Sequence, residues 1–209
     1  MTKLYPLVDV DACSKVGIEP VRLALHWVSL GIERLQVRAK SLASDAYLSL
    51  LRQMVSAAPT GVEIFANDRP DLAELAGCFG VHVGQSDLPV AVVKQTFPSL
   101  RVGVSTHDRA QLLAALRERP SYVAFGPVFA TDSKQNPEPS VGVAGLESAY
   151  RSAVAANVPL VAIGGINATN IGRVAPHCDF VALISALTAS DLGAVSARYE
   201  ALSAALRDE

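Results

Sequence analysis

The chain has 209 residues, half of them hydrophobic, with 18 basic against 20 acidic side chains and a formal net charge of −2. That length suits one substantial core and is short for two. The near-neutral balance excludes a global attraction for nucleic acid or anionic lipid, so any anion must be met by locally placed cations.

In chain order, a short apolar run, Leu4–Val8 (LYPLV), opens the sequence. The segment around it, MTKLYPLVDVDACSK, lacks the apolar stretch of a signal peptide, and no run approaches the ~18 residues of a membrane span. A helical stretch at 21–28 follows, with apolar residues recurring at three and four. Arg34–Val37 (RLQV) leads to a second such stretch at 47–55, and Val62–Ala66 (VEIFA) leads to Asp68-Arg69-Pro70. Val81–Gly84 (VHVG) precedes Asp87-Leu88-Pro89, and Arg101–Val104 (RVGV) precedes Ser105-Thr106 and the helical HDRAQLL. These Asp, Ser and Thr residues read as helix starts, because their oxygens can accept from free backbone amides and proline is tolerated in a first turn. Tyr122–Phe125 (YVAF) enters a long connection at 126–142 with Pro137, Pro139 and Gly142. Leu160–Ile163 (LVAI) and Phe180–Ile184 (FVALI) complete the set.

Eight short, β-branched-rich runs alternating with helical patterns predict an α/β fold, a single (β/α)₈ TIM barrel of eight parallel strands spanning 1–209 as one domain. An open doubly wound sheet is the alternative. It requires one run to be misassigned, and no GxGxxG follows the first strand. Cys13, Cys78 and Cys178 are scattered, with no CxxC or His/Cys cluster, so free thiols in a reducing cytoplasm are expected. The composition leaves a homo-oligomer open.

Barrel sites lie at the carboxyl ends of the strands. In LQVRAK (35–40), Gln36, Arg38 and Lys40 alternate with Leu35, Val37 and Ala39, so one face is polar and should point inward. Two cations and an amide suit a diphosphate; a solvated edge strand is the plainer reading. Asp68 and Asp87 follow neighbouring strands and could hold magnesium, which takes one or two carboxylates, or each could simply cap a helix. His82 reads as a structural histidine with at most a supporting part. Long connections such as 126–142 are often lids, where Thr131, Ser133 and Lys134 would be the working groups. Gly164-Gly165 and Ile184-Ser185 sit after the seventh and eighth runs, where barrels bind phosphate with backbone amides.

Seven segments in this order resemble the thiamine-phosphate synthase family along nearly the whole chain: LQVRAK (35–40), NDRPDLA (67–73), GVHVGQSDLP (80–89), GVSTH (103–107), GPVFATDSK (126–134), AIGGI (162–166) and LISA (183–186). The resemblance implies a transferase that joins a hydroxymethylpyrimidine diphosphate to a thiazole phosphate, or its carboxylated form, with small-molecule substrates as its partners. It implies a pyrimidine diphosphate site of Gln36, Arg38, Lys40, Asn67, Ser105 and Lys134, of which Arg38, Lys40, Ser105 and Lys134 would be catalytic. It also implies Mg²⁺ on Asp68 and Asp87, and a thiazole phosphate site of Thr131, Ser133, Gly165, Ile184 and Ser185. Val37 stands where leucine is common and Ser133 where threonine is frequent, and both changes keep shape or hydroxyl. A thiazole tautomerase of the same fold, an epimerase-like sugar-phosphate barrel and a non-catalytic phosphate-binding barrel are the rival readings. The tautomerase would not need the diphosphate set.

Overall fold

The computed structural model of the chain describes residues 2–131 and 139–207. Eight strands, β1 (Lys3–Asp9), β2 (Arg34–Arg38), β3 (Glu63–Asn67), β4 (Gly80–Val83), β5 (Arg101–Thr106), β6 (Tyr122–Phe125), β7 (Leu160–Ile163) and β8 (Phe180–Leu183), pair in sequence order into a closed barrel. All pairings are parallel, and β8 returns to β1. The strands fall within two residues of the sequence expectation.

The helices depart from a strict one-per-strand alternation. Two, α1 (Val10–Val16) and α2 (Pro20–Ser29), follow β1. Then α3 (Ser44–Ala57), α4 (Pro70–Ala76), α5 (Val90–Thr96), α6 (Arg109–Arg117) and α7 (Gly142–Ala156) follow successive strands, and α8 (Leu192–Arg207) follows β8. After β7 only two 3₁₀ turns, Ile171–Arg173 and Ala175–His177, occur. There the Asn167 and Asn170 side chains accept from the backbone amides of Thr169 and Asn167, and Pro176 removes a donor. Such local bonds compete with a helical ladder.

Period two along the strands divides the core into two layers. Leu35, Val37, Leu51, Leu112, Leu146 and Leu160 lie between the sheet and its helices, and Tyr5, Leu7, Phe65, Tyr122, Val161 and Ala182 fill the barrel. Burying one such Leu, Val or Phe side chain contributes about 1.5–3 kcal/mol. At the amino-terminal end of the barrel, the Arg34 guanidinium lies 4.3 Å from the Phe180 ring centroid and bonds Glu63 at 2.5 Å, closing the interior.

Three expected helix starts are corrected. Asp68 and Asp87 cap nothing: α4 begins from Arg69 and α5 from Pro89, neither with a side-chain cap. Ser105 and Thr106 belong to β5, and Asp108 caps α6 by accepting from the Gln111 amide at 2.8 Å. The reason is register: β5 runs two residues further than its apolar core, because Ser105 and Thr106 still pair with Ala124 and Phe125 of β6.

Candidate active site

The carboxyl ends of β1 to β5 carry the polar groups. Along each strand the inward positions alternate, so Asp9, Arg38, Asn67, His82 and Ser105 lie above the interior positions Tyr5, Gln36, Phe65, Gly80 and Gly103 of the same strands. Asp9 and Arg38 are directly paired across β1 and β2, as are Asn67 and His82 across β3 and β4.

Gln36 is 3% exposed, within the barrel. Arg38 Nη1 donates to Asp9 Oδ2, with both side chains largely buried. Lys40, just past β2 and half-exposed, reaches Asp68 Oδ2 at 3.2 Å. The strand-two triplet therefore faces the barrel mouth as its alternation implied. Asn67 is held by Tyr47 of α3, whose hydroxyl accepts the Asn67 amide at 2.7 Å and donates to Val37 O at 2.7 Å. One phenol thus ties the ends of β2 and β3 together, while the Asn67 side chain has no hydrogen-bond partner among the described residues.

Asp68 adopts a left-handed backbone, φ 65°. A non-glycine residue there costs of order 1 kcal/mol and persists only where its surroundings demand it. Its carboxyl is raised above the usual carboxylate range by burial, a shift that Lys40 opposes and the adjoining Asp87 carboxyl reinforces. Asp87 Oδ2 also accepts from the Gly84 amide at 2.6 Å, which turns the chain after β4 so that its carboxyl meets Asp68. Two adjoining carboxylates repel each other unless a proton or a cation lies between them. The pair suits a magnesium ion, which needs only one or two protein carboxylates and completes its octahedron with water and phosphate oxygens. Among the described residues no cluster of three or more His, Cys, Asp or Glu side chains offers a closed metal cage.

On the other side of the mouth, the glycine pair after β7 has a role that the sequence reading did not foresee. Gly164 and Gly165 have φ 103° and 64°. A Cβ on Gly164 would lie 2.4 Å from Pro127 Cβ, and one on Gly165 would lie 2.4 Å from Ala130 O. Both glycines thus let the connection leaving β6 pass close by, and Phe129 N donates to Gly164 O at 3.0 Å. Thr131 ends the described part of that connection; Ser133 and Lys134 lie outside the described residues. After β8, Ile184 O accepts from Leu187 N and Thr188 N. Arg198 of α8 donates through Nη1 to the carbonyls of Ser185 and Thr188, clamping the turn that carries Ile184 and Ser185.

Beside the expected residues the structure places Asp9, Tyr5 and Tyr122, which the sequence reading did not single out, and His82, which it read as structural with at most a supporting part. Asp9 had a signal: it follows the first apolar run directly, the place that made Asp68 noteworthy. Tyr5 and Tyr122 had none, because a tyrosine in a strand reads as packing. A cleft of about 530 Å³ between α6 and α7, lined by His107, Gln111, Phe125, Ser140 and Ser152 among others, includes none of the expected site residues.

Fold and mouth define the class: a parallel (β/α)₈ barrel enzyme whose polar groups gather at the strand ends. Residues 4–187 match the family described as thiamine monophosphate synthase. Thiamine-phosphate synthase of Koribacter versatilis is 40% identical over 194 residues, covering 90% of this chain and 89% of that protein. That of Anaeromyxobacter dehalogenans is 38% identical, covering 88% and 83%. The solved thiamine phosphate pyrophosphorylase from Pyrococcus furiosus superposes with a TM-score of 0.81 at 29% identity, covering 99% of this chain and 96% of that one. The chain belongs to the thiamine-phosphate synthase family. Phosphoribosyl anthranilate isomerase from Thermotoga maritima, at 13% identity and a TM-score of 0.70, shares the fold alone.

Proposed function

We propose that this chain is a thiamine-phosphate synthase, a transferase that alkylates the nitrogen of a thiazole phosphate with a pyrimidinylmethyl diphosphate and releases pyrophosphate. Family membership supports the reaction class. The observation that carries the site is the convergence of Arg38, Lys40, Asn67 and Ser105 with the Asp68–Asp87 pair on adjacent strand ends.

Gln36, Arg38, Lys40, Asn67, Ser105 and Lys134 would hold the pyrimidine diphosphate. Thr131, Ser133, Gly165, Ile184 and Ser185 would hold the thiazole phosphate, with the Arg198 clamp presetting the turn that carries the last two. Asp68 and Asp87 would hold Mg²⁺, which when bound would neutralise charge on the diphosphate. In the reaction the bond between the pyrimidine methylene carbon and the diphosphate oxygen breaks, and pyrophosphate leaves with the electron pair. The aminopyrimidine ring delocalises the resulting cation, and the thiazole nitrogen lone pair then forms the new C–N bond. Arg38, Lys40 and Lys134 would stabilise charge developing on the leaving oxygens. No protein nucleophile is required. The barrel would work as one domain on small molecules. Among the described residues no helix is long and apolar enough to cross a membrane.

The direct test is incubation with both substrates, with and without magnesium. Equal amounts of thiamine phosphate and pyrophosphate, abolished by a chelator, are expected. Failure to form either product at any magnesium concentration would sink the assignment and turn attention to the tautomerase.

A further inference from the structure

A chain of side-chain hydrogen bonds crosses the barrel interior and joins Gln36 on β2 to Ser105 on β5, two residues on opposite sides of the mouth. Gln36 Nε2 donates to the Tyr5 hydroxyl at 3.4 Å. The Tyr5 and Tyr122 hydroxyls lie 2.8 Å apart, Tyr122 meets His82 Nδ1 at 2.9 Å, and His82 Nε2 meets Ser105 Oγ at 2.8 Å. Tyr5 and Tyr122 are almost wholly buried, at 1% and 0% exposure, and His82 is 8% exposed and stacked on the Tyr122 ring with centroids 5.5 Å apart. Water cannot readily substitute for a missing partner among groups so enclosed, so the hydrogens must be distributed consistently along the chain.

That requirement fixes a direction. A phenol carries one hydrogen. Tyr5 receives the Gln36 N–H, so its own hydrogen goes to the Tyr122 oxygen, its other partner among the described residues. Tyr122, having accepted, donates to His82 Nδ1. A ring nitrogen that accepts bears no proton, so the neutral imidazole carries its proton on Nε2 and donates to Ser105 Oγ. The Ser105 hydroxyl hydrogen is then left for an acceptor outside the chain, while the Gln36 amide, its nitrogen turned to Tyr5, is left with its oxygen as an acceptor. Burial favours the protonated form of both phenols, pushing Tyr5 up to about 12 and Tyr122 well above the ordinary value, so neither hydrogen is lost near neutrality.

We propose that Tyr5, Tyr122 and His82 are positioning residues that tie the polarity of Ser105 to that of Gln36, so that the mouth presents a hydroxyl donor on one side and an amide acceptor on the other. A ligand that offers an acceptor atom to Ser105 and an N–H donor to Gln36 matches this pattern, and an aminopyrimidine offers both. This last step rests on the proposed pyrimidine diphosphate site; the direction of the relay does not.

The test is ¹⁵N NMR of histidine-labelled protein at neutral pH, without substrate. The protein has four histidines. The His82 signals are assigned by their disappearance in His82→Gln or, if that variant does not fold, by replacing the other three in turn. The expected wild-type spectrum has His82 protonated on Nε2 and bare on Nδ1. A ring protonated on Nδ1, or on both nitrogens, would overturn the proposal. In Tyr122→Phe, Nδ1 loses its donor, so the His82 tautomers should mix, and KM for the pyrimidine diphosphate should rise about tenfold, the range of one neutral hydrogen bond. KM for the thiazole phosphate should stay unchanged. A merely structural role would lower the melting temperature and leave the tautomer alone, and that result too counts against the proposal. If Tyr122→Phe does not fold, the wild-type tautomer decides. Absent synthase activity alongside the expected tautomer would count against the function and not against the relay.

Discussion

Asp9 serves two partners with its two carboxylate oxygens. Oδ1 accepts the Ala12 amide at 2.8 Å and caps α1, and Oδ2 holds the Arg38 guanidinium. Arg38 has no other hydrogen-bond partner among the described residues, so Asp9 alone fixes its direction while Nε and Nη2 stay unengaged. A planar guanidinium preset in this way loses less freedom when it meets a diphosphate than a lysine would. Asparagine at this position keeps an acceptor for α1 but offers no charge to Arg38. Asp9→Asn should therefore melt close to the wild type while kcat/KM for the pyrimidine diphosphate falls about tenfold or more, the worth of a charge-assisted hydrogen bond. Asp9→Ala should also lose about 1 kcal/mol of stability with the cap. Thermal melts beside steady-state kinetics separate the two jobs, and undiminished turnover in Asp9→Asn would remove Asp9 from the account.

Within the strands, packing of the barrel interior depends on where β4 and β5 leave side chains out. A Cβ on Gly80 would lie 2.5 Å from Phe65 Cε1, and one on Gly103 would lie 2.1 Å from Tyr122 Cζ. These two strands give up side chains so that aromatic rings from β3 and β6 can fill the interior. The rings meet edge to face, with Tyr5 and Tyr122 centroids 5.7 Å apart, and this packing sets the height of both hydroxyls below the mouth. Gly103→Ala should force the Tyr122 ring aside, destabilising the protein by about 1–3 kcal/mol, as overpacking does. It should also weaken pyrimidine binding, although residue 103 lies a layer below Ser105. Urea titration beside kinetics tests this. A variant as stable and active as the wild type would show that the ring has room the geometry denies it.

Across the whole molecule, closure of the barrel removes every sheet edge and encloses the Gln36-to-Ser105 hydrogen bonds beside a cluster of buried apolar side chains. Enclosure has a consequence at high pH. Tyr5 is raised by burial from 10.0 to about 12, and Tyr47 and Tyr122 are raised by burial as well. Above pH 10 the unfolded chain releases these protons while the folded chain keeps them, so unfolding gains free energy as pH rises. The contribution from Tyr5 is intact below pH 10 and is lost as pH climbs toward 12. Denaturant midpoints should fall steeply over that interval, and Tyr5→Phe should flatten the fall even if it lowers stability near neutrality. A midpoint that stays level through the interval in the wild type would contradict the burial of these phenols.

Much of this architecture was legible in the sequence because it follows from short-range rules. Strands buried on both faces read as short β-branched runs, and period two alone assigns Gln36, Arg38 and Lys40 to one face and Leu35, Val37 and Ala39 to the other. The nearness of Asp68 and Asp87 followed from strand adjacency in a barrel. Helix starts were less legible, since Asp68, Asp87 and Ser105 have capping chemistry but are held by strand register and by one another. The missing helix after β7 turned on side-chain bonds of Asn167 and Asn170 that composition alone does not order. Asp9 with Arg38, Gly164 and Gly165 with the β6 connection, and the relay from Gln36 to Ser105 were decided by tertiary structure alone. Each joins groups from different strands, and only closure of the barrel makes distant stretches of chain neighbours.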